Sequence, residues 1–145
     1  MASIECQLAQ GCIGDLIPIR GQDARGETIP VAFKAQTAVG RDKRPRWHKG
    51  GQVGVFTNKQ LWWSLHDPDY KELLDTRGRN DLESPLGEWT RVELVCADRR
   101  LEVSVNGTQV NEAFDVHPAA GKILLELEGF EVYFRRVELQ PLKEP

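Results

Sequence analysis

Two pairs of acidic or amide side chains, Glu5 with Gln7 and Glu126 with Glu128, carry the spacing most open to chemistry in this 145-residue chain. Members of each pair are two residues apart, so in an extended strand both project from one face. Each pair also alternates with an apolar set, Ile4, Cys6 and Leu8 in the first stretch and Ile123, Leu125 and Leu127 in the second. Carboxylates gathered on one face can take and return protons as general base and acid. Two of them on opposite sides of a glycosidic bond make the working pair of an ordinary glycosidase. The same oxygens could hold a divalent cation, and calcium or magnesium would suit them better than zinc. No metal ligand set is named by the spacing, and plain solvated alternation on the outer face of a sheet gives the same pattern.

Other residues could bind rather than react. Trp62 and Trp63 put one indole on each face of a strand, one for a core and one as a platform for the C–H face of a sugar. Trp63 is the preferred platform. His48, beside Trp47 in a basic loop, is the histidine best placed for a lid, and Arg135 joins Gln7, Trp63 and His48 as a substrate-binding candidate. His48, His66 and His117 are too far apart to form a local metal motif. The sequence has no HExxH, no phosphate-cradling glycine loop and no G-x-S-x-G elbow, which argues against phosphoryl transfer and serine hydrolase chemistry.

Composition narrows the field further. Hydrophobic residues make up 40% and charged residues 28%, with a formal charge of −3, as in an ordinary globular domain with no basic field for nucleic acid or anionic lipid. The one basic run, Arg41 to Lys49, reads as a solvated loop. Cys6, Cys12 and Cys96 are odd in number and lack CxxC spacing, so neither a disulfide framework nor a zinc motif is expected. Cys6 and Cys96 fall in apolar alternation and read as core, whereas Cys12 beside a glycine reads as exposed. No stretch is long enough to span a bilayer, and the first residues lack the apolar run of a signal peptide.

Strands must position these residues, because period-2 alternation dominates the chain. Strands are expected at 3–8, 15–20, 29–39, 54–57, 60–64, 89–96, 101–105 and 108–113. Asn106-Gly107 marks a tight hairpin, since a type I′ turn needs two positive φ values. A last hairpin is expected from 121–128 and 131–139 around Gly129-Phe130. There Val132 and Phe134 are out of phase with Val137 and Leu139, which points to a β-bulge at Arg135-Arg136. A short helix is expected over Asp67–Leu74, with Asp67 as its cap and Pro68 at its first position. Strands joined by short turns imply an all-β antiparallel sandwich or jelly roll in a single domain.

The strings IECQL, GDL, ESPLGEWTRVELVC, VSVNGTQVNEAFDVHP, GKILLELEG and VYFRRVEL occur in that order, and together they resemble the 3-keto-disaccharide hydrolase domain family. The resemblance covers nearly the whole chain. It implies a concanavalin-like jelly roll that cleaves glycosides whose sugar carries a ketone at carbon 3. Glu5, Glu126 and Glu128 are then the catalytic candidates, and a carbohydrate is the expected partner. The alternative is a carbohydrate-binding or interaction module without chemistry. The family has further strands before its IECQL-like strand, so the chain is expected to lack an N-terminal portion and to complete its sandwich as a homo-oligomer. The sequence as written reads as cytoplasmic, but an export signal would have been lost with that portion, so the location is left open. Four departures concern the family's pattern: Thr90 where it usually has asparagine, Arg136 where it often reads FRN, Glu126 where glutamine is usual, and Leu127 where a small polar residue is.

Overall fold

A computed structural model describes residues 2–142 except Glu72, Leu74, Asp75, Glu128 and Phe130. Ten strands follow one another: β1 (Ser3–Cys6), β2 (Leu16–Ile19), β3 (Gly21–Gln22), β4 (Thr28–Ile29), β5 (Ala32–Val39), β6 (Pro45–Trp47), β7 (Gln52–Phe56), β8 (Val92–Ala97), β9 (Arg100–Val105) and β10 (Thr108–His117). All named pairings are antiparallel. The main sheet has the order β6-β5-β10-β9-β8, with β7 also paired to β5. A second layer is built from β1 and β2, continued by a bridge between Leu16 and Leu61. No helix occurs among the described residues, so the fold is an all-β antiparallel sandwich.

The core lies between the two layers. Alternation drives Leu101, Val103 and Val105 of β9 inward, where they meet Leu16, Leu61 and Trp63. Phe33 and Phe56 are register partners on β5 and β7, and their rings stack 5.1 Å apart. Burying side chains of this size contributes roughly 1.5–3 kcal/mol each. The hairpin at Asn106-Gly107 forms as expected, with φ of 48° and 82°. Asn106 also accepts the Arg91 N–H through its side chain at 2.9 Å.

Strand β10 departs from simple alternation. Its register with β9 shifts between Gln109 and Asn111, and Val110 and Asn111 both point inward. A bulge lets one strand present two consecutive residues to the same side. The buried Asn111 amide is satisfied there, donating to the Gly14 carbonyl at 2.9 Å while its oxygen accepts the Glu112 N–H. Across the bulge the outward set runs Gln109, Glu112 and Phe114.

Several expectations need correction. The stretch 60–64 contributes two isolated bridges rather than a strand, and the strand expected from Trp89 starts at Val92. Asp67–Tyr70 forms a turn held by Asp67, which accepts the Asp69 N–H at 2.9 Å. The rest of the expected helix falls partly on residues outside the described set. Cys12 is buried and Cys96 exposed, the reverse of the expectation for both. The described residues of 121–139 form no strand, and every one of them is exposed. With no strand there among the described residues, the expected bulge at Arg135-Arg136 has no ladder to interrupt, and Arg136 simply takes φ of 55°.

Candidate functional site

The side of the main sheet away from the core carries an open polar surface, and the register shift in β10 sets which of its residues face it. Gln36 from β5, Arg100 and Glu102 from β9, Gln109, Glu112 and Phe114 from β10, and Lys49 from the loop after β6 line an open groove of about 560 Å³. Glu102 and Glu112 face each other directly as register partners, a relation that sets Cβ atoms about 4.5–5.5 Å apart. The Arg100 guanidinium binds the Glu112 carboxylate, whose side chain is 17% exposed. Glu102 has no hydrogen-bond or ion-pair partner among the described residues. Two cations and two carboxylates line the surface, so its net charge is zero and it suits a neutral polar ligand.

The loop at the mouth is pinned rather than loose. The His48 N–H donates to the Gln36 carbonyl at 2.9 Å, and the Gly50 N–H to the Gln36 side-chain oxygen at 2.8 Å. His48 is exposed in this loop, next to the groove-lining Lys49.

The other candidates lie elsewhere. Glu5 and Gln7 are together, with the Gln7 amide donating to the Glu5 carboxylate, but Glu5 belongs to β1 in the two-stranded sheet. Glu126 is exposed in a segment outside every sheet, and Glu128 lies outside the described residues. Among the described residues, no sheet brings Glu5, Gln7 and Glu126 onto one face. Trp63 is only 2% exposed, and its ring N–H donates inward to the Gly11 carbonyl at 3.3 Å. Its place in the core corrects its assignment as a platform at the rim. Trp62 is the partly exposed indole, with the Arg44 guanidinium 4.4 Å from its ring centre. Arg135 stacks over the half-exposed Trp89 at 4.6 Å.

Beneath Trp62 lies a second polar cluster. Asp15, fully buried, accepts the Trp63 N–H at 2.6 Å and the Gln60 amide at 2.6 Å. Burial nevertheless pushes its carboxyl up to about 7. His66 is packed against Trp62, and burial, with the charges of Arg46 and Arg44 adding, holds its ring down to about 4. Arg44 Nη1 lies 3.3 Å from His66 Nε2. A guanidinium only donates, so Nε2 accepts and the neutral ring carries its proton on Nδ1. Neighbouring Arg46 is held by both oxygens of Asp42 at 2.8 and 2.7 Å and donates to the His66 carbonyl at 2.9 Å.

Sequence reasoning missed the groove because Glu112 and Phe114 fall in phase with the apolar Val110. Only the inward Asn111 marks the shift, and an asparagine in a strand does not by itself signal a bulge. The signal that was present is Glu102, in clean outward alternation between Leu101 and Val103.

The fold is an antiparallel sandwich of the all-β class, with a charge-neutral polar groove on the outer face of its main sheet. Within that class, the profile of the 3-keto-alpha-glucoside-1,2-lyase-like domain matches residues 14–140, and the chain belongs to this family. No curated protein and no solved structure matches it.

Proposed function

We propose that the chain cleaves 3-oxidised glycosides in the groove on the outer face of β5, β10 and β9. The observation that carries this reading is the directly opposed pair Glu102 and Glu112 in a charge-neutral groove, in a family named for a 3-keto-glucoside lyase. A ketone at carbon 3 acidifies the hydrogen on carbon 2. Glu102 takes that proton, and the electron pair enters the carbonyl as an enolate. Lys49 and Arg100 supply the positive charge that favours the enolate oxygen. Collapse of the enolate restores the ketone, forms a carbon 1–carbon 2 double bond and breaks the bond from carbon 1 to the glycosidic oxygen. That oxygen takes the proton back from Glu102, and water then adds across the double bond. Glu112, oriented by Arg100, holds substrate hydroxyls, and Phe114 offers a sugar an apolar face.

A second reading places the base at Glu5, with Gln7 beside it; the hydrogen bond between Gln7 and Glu5 favours it. A non-catalytic carbohydrate-binding module is the third. Turnover of a chromogenic 3-keto-glucoside separates all three. Loss in Glu102→Gln with activity retained in Glu5→Gln supports the groove. The opposite result moves the site to β1, and no turnover with binding intact indicates a module.

The same reading includes a homodimer. Leu94 and Cys96 stand in register with the core residues Val103 and Leu101, yet both are exposed. Ile123, Leu125, Val132 and Phe134 are exposed as well. Apolar edges of this kind are covered most simply by a second copy. Light scattering should report twice the chain mass at micromolar concentration, and a monomer there would contradict the pairing.

A further inference from the structure

We propose that Cys12, Asp15 and His66 form a buried zinc site that fastens the 9–15 turn to the 61–66 segment. One sulfur, one carboxylate oxygen and one ring nitrogen from these residues lie within 4.8 Å of one another. Cys12 is 6% exposed, Asp15 0% and His66 2%. Tetrahedral zinc bonds these three atom types at about 2.0–2.3 Å, which leaves bound ligand atoms roughly 3.3–3.8 Å apart. Closing from the observed spacing requires a movement of about 1 Å. A thiol with an imidazole selects a borderline-soft ion over calcium or magnesium, which take all-oxygen sets.

The turn is built to hold these ligands. The Asp15 N–H donates to the Cys12 carbonyl at 3.1 Å, and the Gly14 N–H to the Gln7 carbonyl at 2.9 Å. Gly14 has φ of 93°, and a Cβ there would sit 2.5 Å from Val110, so the turn can approach the core only as glycine. On the facing segment, the ring of His66 is fixed by Trp62 at 4.1 Å and Tyr70 at 5.6 Å. Gln60 and the Trp63 N–H orient the Asp15 carboxylate as outer partners.

An independent observation points to a ligand here. His66 Nδ1 is buried and no acceptor meets it with normal hydrogen-bond geometry, the Gly11 backbone acting on the ring only as a minor influence, although a buried polar atom of this kind is normally satisfied. The ion bonds Nδ1, and the ring proton moves to Nε2. The 3.3 Å contact from Arg44 then has to open. Arg44 is 40% exposed on its side chain and keeps Trp62 and Asp42 as neighbours, so it can withdraw. Its charge and its donor both oppose the metal, so removing it should tighten binding.

The test uses the full chain, stripped with a chelator, dialysed and titrated with zinc chloride, with metal content read by mass spectrometry. The site requires one zinc per chain and a rise in Tm on addition, because binding to the folded state alone stabilises it. In Cys12→Ser and His66→Gln, affinity should fall by more than the roughly tenfold to hundredfold typical of an outer-partner change, and Gln60→Ala should fall within that span. Arg44→Gln should bind more tightly than the parent chain. Cobalt in place of zinc should show a thiolate charge-transfer band that is absent in Cys12→Ser and kept in Cys96→Ser. No stoichiometric zinc overturns the proposal. Equal zinc in the parent chain and Cys12→Ser, with loss in Cys96→Ser, overturns it too by placing the metal at the surface. If Cys12→Ser alone fails to fold, His66→Gln and the cobalt spectrum of Cys96→Ser decide.

Discussion

The hairpin of β9 and β10 and the segment 121–139 are written in nearly the same code, yet they end in opposite states. Both alternate apolar and polar residues, and both carry a glycine with positive φ between the two halves, Gly107 at 82° and Gly129 at 78°. The first buries Val103, Val105, Val110 and Ala113 to 1% exposure or less. The second leaves Ile123 75% exposed and Leu139 84% exposed. The difference lies in what stands opposite. Residues 101–113 face Leu16, Leu61 and Trp63 across the sandwich, whereas the described residues of 121–139 have no facing layer. Alternation makes a segment competent to be a strand. A facing layer makes it one.

Truncating a side chain in each region tests the contrast with the largest effect. Leu101→Ala in the hairpin should cost about 2–5 kcal/mol in urea unfolding, as large-to-small changes in a closed core do. Leu125→Ala should cost less than about 0.5 kcal/mol in dilute protein. If copies pair, that small cost should grow with protein concentration. A cost above about 2 kcal/mol for Leu125→Ala at high dilution would show that the segment packs within its own chain.

The next effect belongs to the polar side of the packed region. Asp42 and Arg46 are 13% and 11% exposed on their side chains, and hydrogen bonds from Arg46 hold the Asp42 carboxyl well below the usual carboxylate range. Asp42→Asn should cost about 3 kcal/mol at neutral pH, since it leaves a mostly buried guanidinium without its counter-charge. The sign with pH follows from the depressed folded value. The stabilisation is fully present above the unfolded value near 4 and is lost as pH falls below it. The variant should therefore lose less stability than the parent between pH 4 and 2.

A smaller effect separates the two hairpin glycines. Gly107→Ala should cost about 1 kcal/mol, because alanine is strained at that φ. Gly129→Ala should change stability by less, as its turn closes no sheet. The smallest test is chemical and compares a half-buried thiol on β1 with an exposed one on β8. Burial, with the Asp15 and Glu5 carboxylates adding, pushes the Cys6 thiol up to about 12. Only about one molecule in ten thousand then carries the thiolate at pH 8. Iodoacetamide at pH 8 should label Cys96 before Cys6, and equal rates would show that β1 does not cover its own face.

Local chemistry was legible in the sequence, and pairing was not. Asn106-Gly107 announced its turn because two positive φ values are a backbone requirement of those two residues. The strand at Arg100–Val105 was legible because Leu101, Val103 and Val105 alternate without a break. Trp63 could not be told from Trp62, since a strand offers two faces and the sequence does not say which one is roofed. The bulge at Val110-Asn111 was hidden because its buried asparagine is satisfied by a carbonyl some 97 positions away. The acidic pair Glu102 and Glu112 was missed with it. Asp15 and His66 read as ordinary polar residues, because burial by distant segments is what shifts them.

The central claim is that the chemistry resides in the groove between β9 and β10. The most direct measurement is the turnover of a chromogenic 3-keto-glucoside by the parent chain, Glu102→Gln and Glu5→Gln, at matched folding by circular dichroism. Removing a positioned general base lowers the rate by about 10²–10⁴-fold. The groove predicts a loss of that size in Glu102→Gln and a rate within about threefold of the parent in Glu5→Gln. A Glu102→Gln chain that turns over at the parent rate would contradict it.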